Sequence, residues 1–345
     1  AYHTTPYLLL FLPAALLFYQ IAPAKWRSYT LLIFSYLFFW SFSEKLIIYL
    51  IGTTFLTHHI CIWMDTMDKR DKRKKRVFQL GILLLLGTIL CLKYRNFFFG
   101  NVSKLAMVLH IDWSYQDQLI FLPIGISFYT LSAIGYMADV YWGKVQAEYS
   151  LVKTALFLGF FPVIVEGPIC RWEDVEDTLF KNESVKAENV FKGCYRIIWG
   201  LFKKMIIADR LAVLVDKVYV GYESYSGAVI VAAAISYTIQ LYMEFSGCMD
   251  MVIGSAGLFG IRLPENFSQP LFAKTCTDFW KRWHITLGVW FKNYIFYPVS
   301  ISKTARKWNK FTRKHFKGDF GKYVARMGIA AMALFPVWIS NGLWH

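Results

Sequence analysis

Charge is scarce in this chain. Asp, Glu, Lys and Arg make up 18% of its 345 residues, against roughly 25% in an ordinary soluble domain. Cysteine pairs are missing as well. The six Cys are widely separated, several sit inside apolar runs, and no Cys-x-x-Cys occurs, which excludes a secreted disulfide scaffold. There is no P-loop, no dinucleotide fingerprint and no Gly-x-Ser-x-Gly elbow; the nearest stretch, Phe245-Ser246-Gly247-Cys248, lacks the first glycine. Recognisable nucleotide-driven chemistry is therefore absent. No internal repeat, low-complexity tract or linker divides the chain, so one transmembrane domain over residues 1–345 is expected.

Apolar and aromatic residues are abundant, at 56% and 19%, and the mean hydropathy is +0.38. Disordered segments have the opposite composition. The charge that is present is one-sided, 38 Lys and Arg against 23 Asp and Glu, for a net +15. It comes in bursts between apolar stretches. One burst is Lys69, Arg70, Lys72, Arg73, Lys74, Lys75 and Arg76; another spreads over Lys303, Arg306, Lys307, Lys310, Arg313, Lys314 and Lys317. Such bursts beside apolar segments fix topology and touch anionic lipid. Membrane lipids, and no nucleic acid, are the expected contacts.

A membrane helix needs about 20 mostly apolar residues. Tyr7 to Pro23, Tyr29 to Phe42, Leu46 to Met64 and Val77 to Leu92 are candidates. The first lacks the basic cluster and small-residue site of a cleavable signal. With Lys69–Arg76 in the cytoplasm, three crossings back place the N-terminus outside. Lys25 and Arg27 then lie inside and Glu44-Lys45 outside, as the positive-inside bias prefers. Further on, Leu119 to Val140 and Leu151 to Ile169 carry glycines, prolines and acids within apolar sequence, and Tyr225 to Ile261 carries glycines and acids. Broken backbone and charge at membrane depth belong in buried or water-lined places. Re-entrant segments around a polar chamber are expected there, with Glu244 and Asp250 turned away from lipid.

Seven histidines are present. His3, His110 and His315 lie near polar or loop residues. His58 and His59 are adjacent, and adjacent helical residues point about 100° apart; no further Cys or carboxylate spacing completes a set, so no metal is expected. His284 lies in Asp278-Phe-Trp-Lys-Arg-Trp-His-Ile-Thr-Leu, where helical spacing would set Trp280, His284 and Leu287 on one face. An interfacial amphipathic helix accounts for the aromatics and bases of this stretch, but not for its His. His345 follows Asn341-Gly-Leu-Trp at the end of an apolar run. An imidazole in apolar surroundings is neutral at pH 7 and able to take a proton. By spacing alone, either His could be functional or inert.

Glu265-Asn-Phe-Ser-Gln-Pro, Asp278-Phe-Trp-Lys-Arg-Trp-His284-Ile-Thr-Leu and Gly342-Leu-Trp-His345 together resemble blocks of the membrane-bound O-acyltransferase superfamily. Leu122-Pro-Ile-Gly-Ile-Ser-Phe-Tyr-Thr, Glu166-Gly-Pro-Ile, Lys203-Lys-Met-Ile-Ile-Ala-Asp209-Arg and Phe245-Ser-Gly-Cys-Met-Asp250 follow the same family order. The match is to the bacterial branch that includes alginate O-acetylation.

The resemblance implies an all-α polytopic fold, a ring of tilted and re-entrant helices around a funnel. It implies His345 as catalytic base and His284 as the second tunnel histidine, with Trp280, Trp344 and Asn341 in the same blocks at the substrate. It implies acetyl-CoA as cytoplasmic donor, a cell-envelope polysaccharide as acceptor, an extracytoplasmic acetyltransferase partner, and the bacterial cytoplasmic membrane as location. Gly288, Lys292, Asn293, Glu244 and Glu166 stand where the family often has Ser, Arg, Asp, Asp and Ala. Family members continue past the Gly-Leu-Trp-His block, so the chain is expected to lack its C-terminal spans. A D-alanyl or lipid acyltransferase of the same fold, and a polymer conduit without chemistry, are the alternatives.

Overall fold

The computed structural model describes residues 2–68, 71–116 and 121–344. Its regular elements are helices, with no strand among the described residues. Among the described residues, four stretches are long and apolar enough to cross a membrane: Ala24–Asp65, Lys72–Lys93, Gly227–Leu258 and Gly318–Trp344. This is a multi-pass membrane protein. Contacts divide the chain into two compact units, residues 1–264 and 265–345.

The first unit begins with a wide helical turn at Pro6–Phe11 that leads into α1 (Leu12–Ile21). Helices α2 (Arg27–Ser43), α3 (Ile47–Asp65) and α4 (Lys72–Lys93) follow. They coincide with the apolar runs expected to span, extended by a few residues. At the basic end of α4, Asp71 caps the helix by accepting the Arg73 backbone N–H at 2.8 Å, a bond worth about 1 kcal/mol at an N-cap. After α5 (Arg95–Val108) comes α6 (Ile126–Trp142), buried from Tyr129 to Val140 except for Ser132. It packs on α3 and α4.

The segment that starts at Leu151 breaks as expected. Helix α7 (Leu151–Gly159) stops, and non-helical backbone runs on through a buried stretch. Its polar groups are met by side chains from far away. The Phe161 N–H donates to Ser35 Oγ at 3.1 Å, and Tyr2 Oη donates to the Phe161 carbonyl at 2.9 Å. Gly125 fits against this backbone in a left-handed conformation; a Cβ there would fall 1.8 Å from the Ile164 carbonyl oxygen. His58 and His59 diverge. His58 is buried on Thr154 of α7, at 3.1 Å, while His59 is exposed and bonds the Phe55 carbonyl.

Tyr225 to Ile261 corrects the sequence reading. It is not broken: α11 (Gly227–Leu258) is one continuous helix of 32 residues. Its glycines serve packing. It lies along α9 (Ala187–Leu201), and Gly247 and Gly254 meet Gly200 and Gly193 of α9 backbone to backbone. A Cβ on Gly200 would sit 2.5 Å from the Gly247 carbonyl, and one on Gly254 would sit 2.8 Å from the Gly193 carbonyl. Small residues let membrane helices approach this closely.

Between α7 and α9 runs α8 (Trp172–Leu179), a short polar helix. After α9 a wide helical turn, Phe202–Ala208, leads into α10 (Asp209–Val220).

The second unit contains α12 (Cys276–Arg282), α13 (Ile285–Phe291), a wide turn at Lys292–Phe296, and α14 (Tyr297–Ser300). Then come α15 (Lys303–His315), which carries the second basic burst, and α16 (Gly318–Trp344). Helix α16 packs against α14, α15 and the wide turn.

Candidate active site

The stretch expected to form one amphipathic helix is two helices with His284 at the break. Trp280 lies in α12 and Leu287 in α13, so these residues do not share a continuous helical face with His284. His284 has φ +45° and ψ +54°, in the left-handed region. A non-glycine residue there costs about 1–2 kcal/mol and persists only where its surroundings hold it.

Asn266 holds it. The Asn266 carbonyl accepts the Ile285 N–H at 2.9 Å. Its side-chain Oδ1 accepts the Thr286 N–H at 3.1 Å and the Thr286 hydroxyl at 2.9 Å. Together they serve two of the N–H groups that the first turn of α13 leaves without helical partners. Oδ1 also lies 3.1 Å from His284 Nδ1. On the other side of the break, Trp283 N–H closes α12 on the Phe279 carbonyl, and Ser268 N–H donates to the Arg282 carbonyl. The segment from Asn266 to Ser268 thus bonds to both sides of the break. Asn266 is fully buried, and His284 is 7% exposed.

Around the break the rings pack in series. Phe267 meets Trp283 edge-on, Trp283 stacks on Phe279 at 5.6 Å, and Trp280 meets Trp338 of α16 edge-on at 5.7 Å. Thr275 caps α12 through the Asp278 N–H, and Arg282 Nε donates to Asp278 Oδ1 at 2.9 Å. The Arg282 guanidinium holds the Asp278 carboxyl below its usual range.

Trp280 is half-exposed and tied to α16 through Trp338. Asn341 and Trp344 lie in the last turns of α16. Asn341 follows Trp338 by three residues and so shares its side of the helix. Trp344 lies six residues, about 9 Å along the axis, beyond Trp338, at about 1.5 Å per residue. His345 lies outside the described residues. Asn266 lies in the Glu265-Asn-Phe-Ser-Gln-Pro stretch, yet nothing local to the sequence marks it as the partner of a residue 18 positions on.

Asp250 and Glu244 are both paired with bases of the first unit. Asp250 is buried between Arg196 Nε at 3.1 Å and Lys203 Nζ at 2.6 Å. Glu244 pairs with Lys204 at 2.6 Å. The bases come from α9 and the wide turn after it, the partners that the sequence reading did not name.

The sequence profile of the membrane-bound O-acyltransferase family, MBOAT, matches residues 144–313. The chain belongs to this family. It is 32% identical over 339 residues to a probable alginate O-acetylase of Pseudomonas putida, covering 98% of this chain and 65% of that protein. A probable alginate O-acetylase of Pseudomonas aeruginosa is 33% identical, covering 98% of this chain and 61% of that protein. A peptidoglycan O-acetyltransferase of Helicobacter pylori is 29% identical, with 86% and 61% covered. The chain therefore spans less than two thirds of the length of these relatives.

Proposed function

We propose that this chain is the greater part of a bacterial membrane O-acetyltransferase. It moves an acetyl group from cytoplasmic acetyl-CoA to hydroxyls of an extracellular or cell-wall polysaccharide. The observation that carries the reading is His284, buried at a strained break within the span that the family profile matches. The names of the relatives support acetyl transfer to an envelope polymer.

In this reading His345 removes the proton from the acceptor hydroxyl. The oxygen attacks the thioester carbonyl, the C–S bond breaks, and the coenzyme A thiolate leaves and regains a proton. A positioned base contributes about 10²–10⁴-fold. His284 positions donor or acceptor in the same chamber, with Trp280, Asn341 and Trp344 at its edge. Water must be kept out, because the thioester is also open to hydrolysis. The funnel-shaped ring of helices, the cytoplasmic membrane location and an extracytoplasmic partner belong to the same reading.

The test uses the full-length protein in membrane vesicles with its partner proteins, radiolabelled acetyl-CoA and polymer. His345→Ala should abolish transfer and His284→Ala should lower it severely, with both proteins inserted at normal levels. Transfer by His345→Ala at near wild-type rate would remove the base assignment and favour a conduit.

A further inference from the structure

Three donors converge on one oxygen at the helix break. One of them settles the orientation of the Asn266 amide. The Thr286 backbone N–H can only donate, so the side-chain atom 3.1 Å from it must be the oxygen and not the NH2 group. An amide oxygen can only accept. His284 Nδ1, 3.1 Å from that same oxygen, must then carry a proton. In a neutral imidazole one nitrogen is protonated and the other is not. The basic lone pair is consequently on Nε2.

We propose that Asn266 is a positioning residue for His284: its side-chain oxygen fixes the Nδ1–H tautomer and turns Nε2 into the basic nitrogen. The same oxygen holds the first turn of α13, so the tautomer and the backbone break are set by one atom. The left-handed conformation of His284 gives a reason for this coupling. Strained backbone persists where the surroundings determine it more than once, and Asn266 does so through its main chain at Ile285 and its side chain at Thr286. A ring set only by packing could flip and exchange its nitrogens. A ring bonded to an acceptor that is itself locked to backbone cannot do so without losing that bond.

Asn266 Nδ2 makes no hydrogen bond among the described residues. Asn266→Asp therefore keeps the accepting oxygen and forfeits no donated bond. It also adds negative charge beside the ring, which favours the imidazolium and raises the His284 pKa. Asn266→Leu keeps comparable bulk and removes the acceptor.

That His284 acts in transfer is the reading proposed above; its tautomer is measured apart from it. The experiment is nitrogen NMR of the full-length protein, labelled with ¹⁵N-imidazole histidine, above the pH at which the ring titrates. His284→Gln identifies the signal by its loss. The expected result is a protonated Nδ1 and an unprotonated Nε2 in the wild type and in Asn266→Asp, and loss of that single state in Asn266→Leu. A protonated Nε2 in the wild type overturns the proposal, whatever the activity. Kinetics supply the second measurement. Asn266→Leu should lower kcat by about 10²-fold, the lower part of the range for a positioned base, with KM changed far less. Asn266→Asp should retain most activity and move the acid limb of kcat/KM to higher pH. Equal losses in both variants with an unmoved limb would make Asn266 merely structural and overturn the positioning role. Should Asn266→Leu fail to fold, the wild-type tautomer and the aspartate profile still decide. Full activity in His284→Gln would sink the role of His284 in transfer and leave the tautomer assignment standing.

Discussion

Asp250 shows how a carboxylate survives in an apolar helix. Its two oxygens are taken by Arg196 at 3.1 Å and Lys203 at 2.6 Å. Three ionised groups share one site with a net charge of +1, counting two bases against one acid. Removing one member of a buried pair strands the other and costs about 3–5 kcal/mol. Asp250 is 9% exposed, so its replacement belongs near that range. Asp250→Asn should lower the thermal unfolding midpoint of the detergent-solubilised protein markedly. Lys203→Met should cost less, because Arg196 still neutralises the acid. A midpoint unchanged in Asp250→Asn would mean that the cluster is solvated and carries little energy. The presence of an acid needing partners could be read from the sequence, since a charge within an apolar run demands compensation. The identity of the bases could not, because they lie 54 and 47 residues away.

Helices divide into those that local sequence determines and those that distant contacts determine. For α2, α3 and α4, apolar length between polar ends was sufficient, and the boundaries fell within a few residues in most cases. Helix α11 was misread because a glycine that breaks a helix and one that lets another helix approach look alike in one segment. The difference is made by Gly193 and Gly200 on α9, facing Gly254 and Gly247. The break at His284 was missed for a similar reason: the acceptor that ends one helix and starts the next is supplied by Asn266. The glycine reading can be checked on α11 itself. Gly254→Ala places a methyl 2.8 Å from the Gly193 carbonyl, whereas Gly257→Ala meets nothing within 4 Å. The first should destabilise by about 1–3 kcal/mol through overpacking. The second should stabilise by about 0.5–1 kcal/mol, the ordinary gain of alanine over glycine in a helix. Thermal melts of the two single variants read the difference directly. Equal midpoints would reject backbone-to-backbone packing of α9 on α11.

For the first unit as a body in the membrane, tertiary hydrogen bonds extend the charge rule beyond the loops that it governs. The positive-inside bias places Arg27 and the basic start of α4 in the cytoplasm. Arg27 donates to the Asn182 carbonyl at 2.8 Å, Ser28 to the Asn182 side chain at 2.7 Å, and Tyr19 to the Glu183 carbonyl at 3.0 Å. Tyr149 donates to Asp65, next to the same basic loop, at 3.0 Å. The connections before α7 and after α8 are therefore expected on the same side as Arg27 and Asp65, the side that the charge rule assigns to the cytoplasm. The charge rule alone says little about this region, since residues 171 to 189 mix acids and bases. The arrangement predicts a labelling pattern. In full-length protein with its native cysteines replaced by serine, Lys45→Cys should react with a membrane-impermeant maleimide on intact cells. Lys72→Cys and Glu188→Cys should react only after permeabilisation. All three positions have exposed side chains, so burial does not imitate sidedness. Reversal of all three would invert the topology and leave the fold intact. Labelling of Glu188→Cys alone from outside would contradict the tether through Asn182, since a chain bonded to Arg27 cannot present its neighbouring turn across the bilayer.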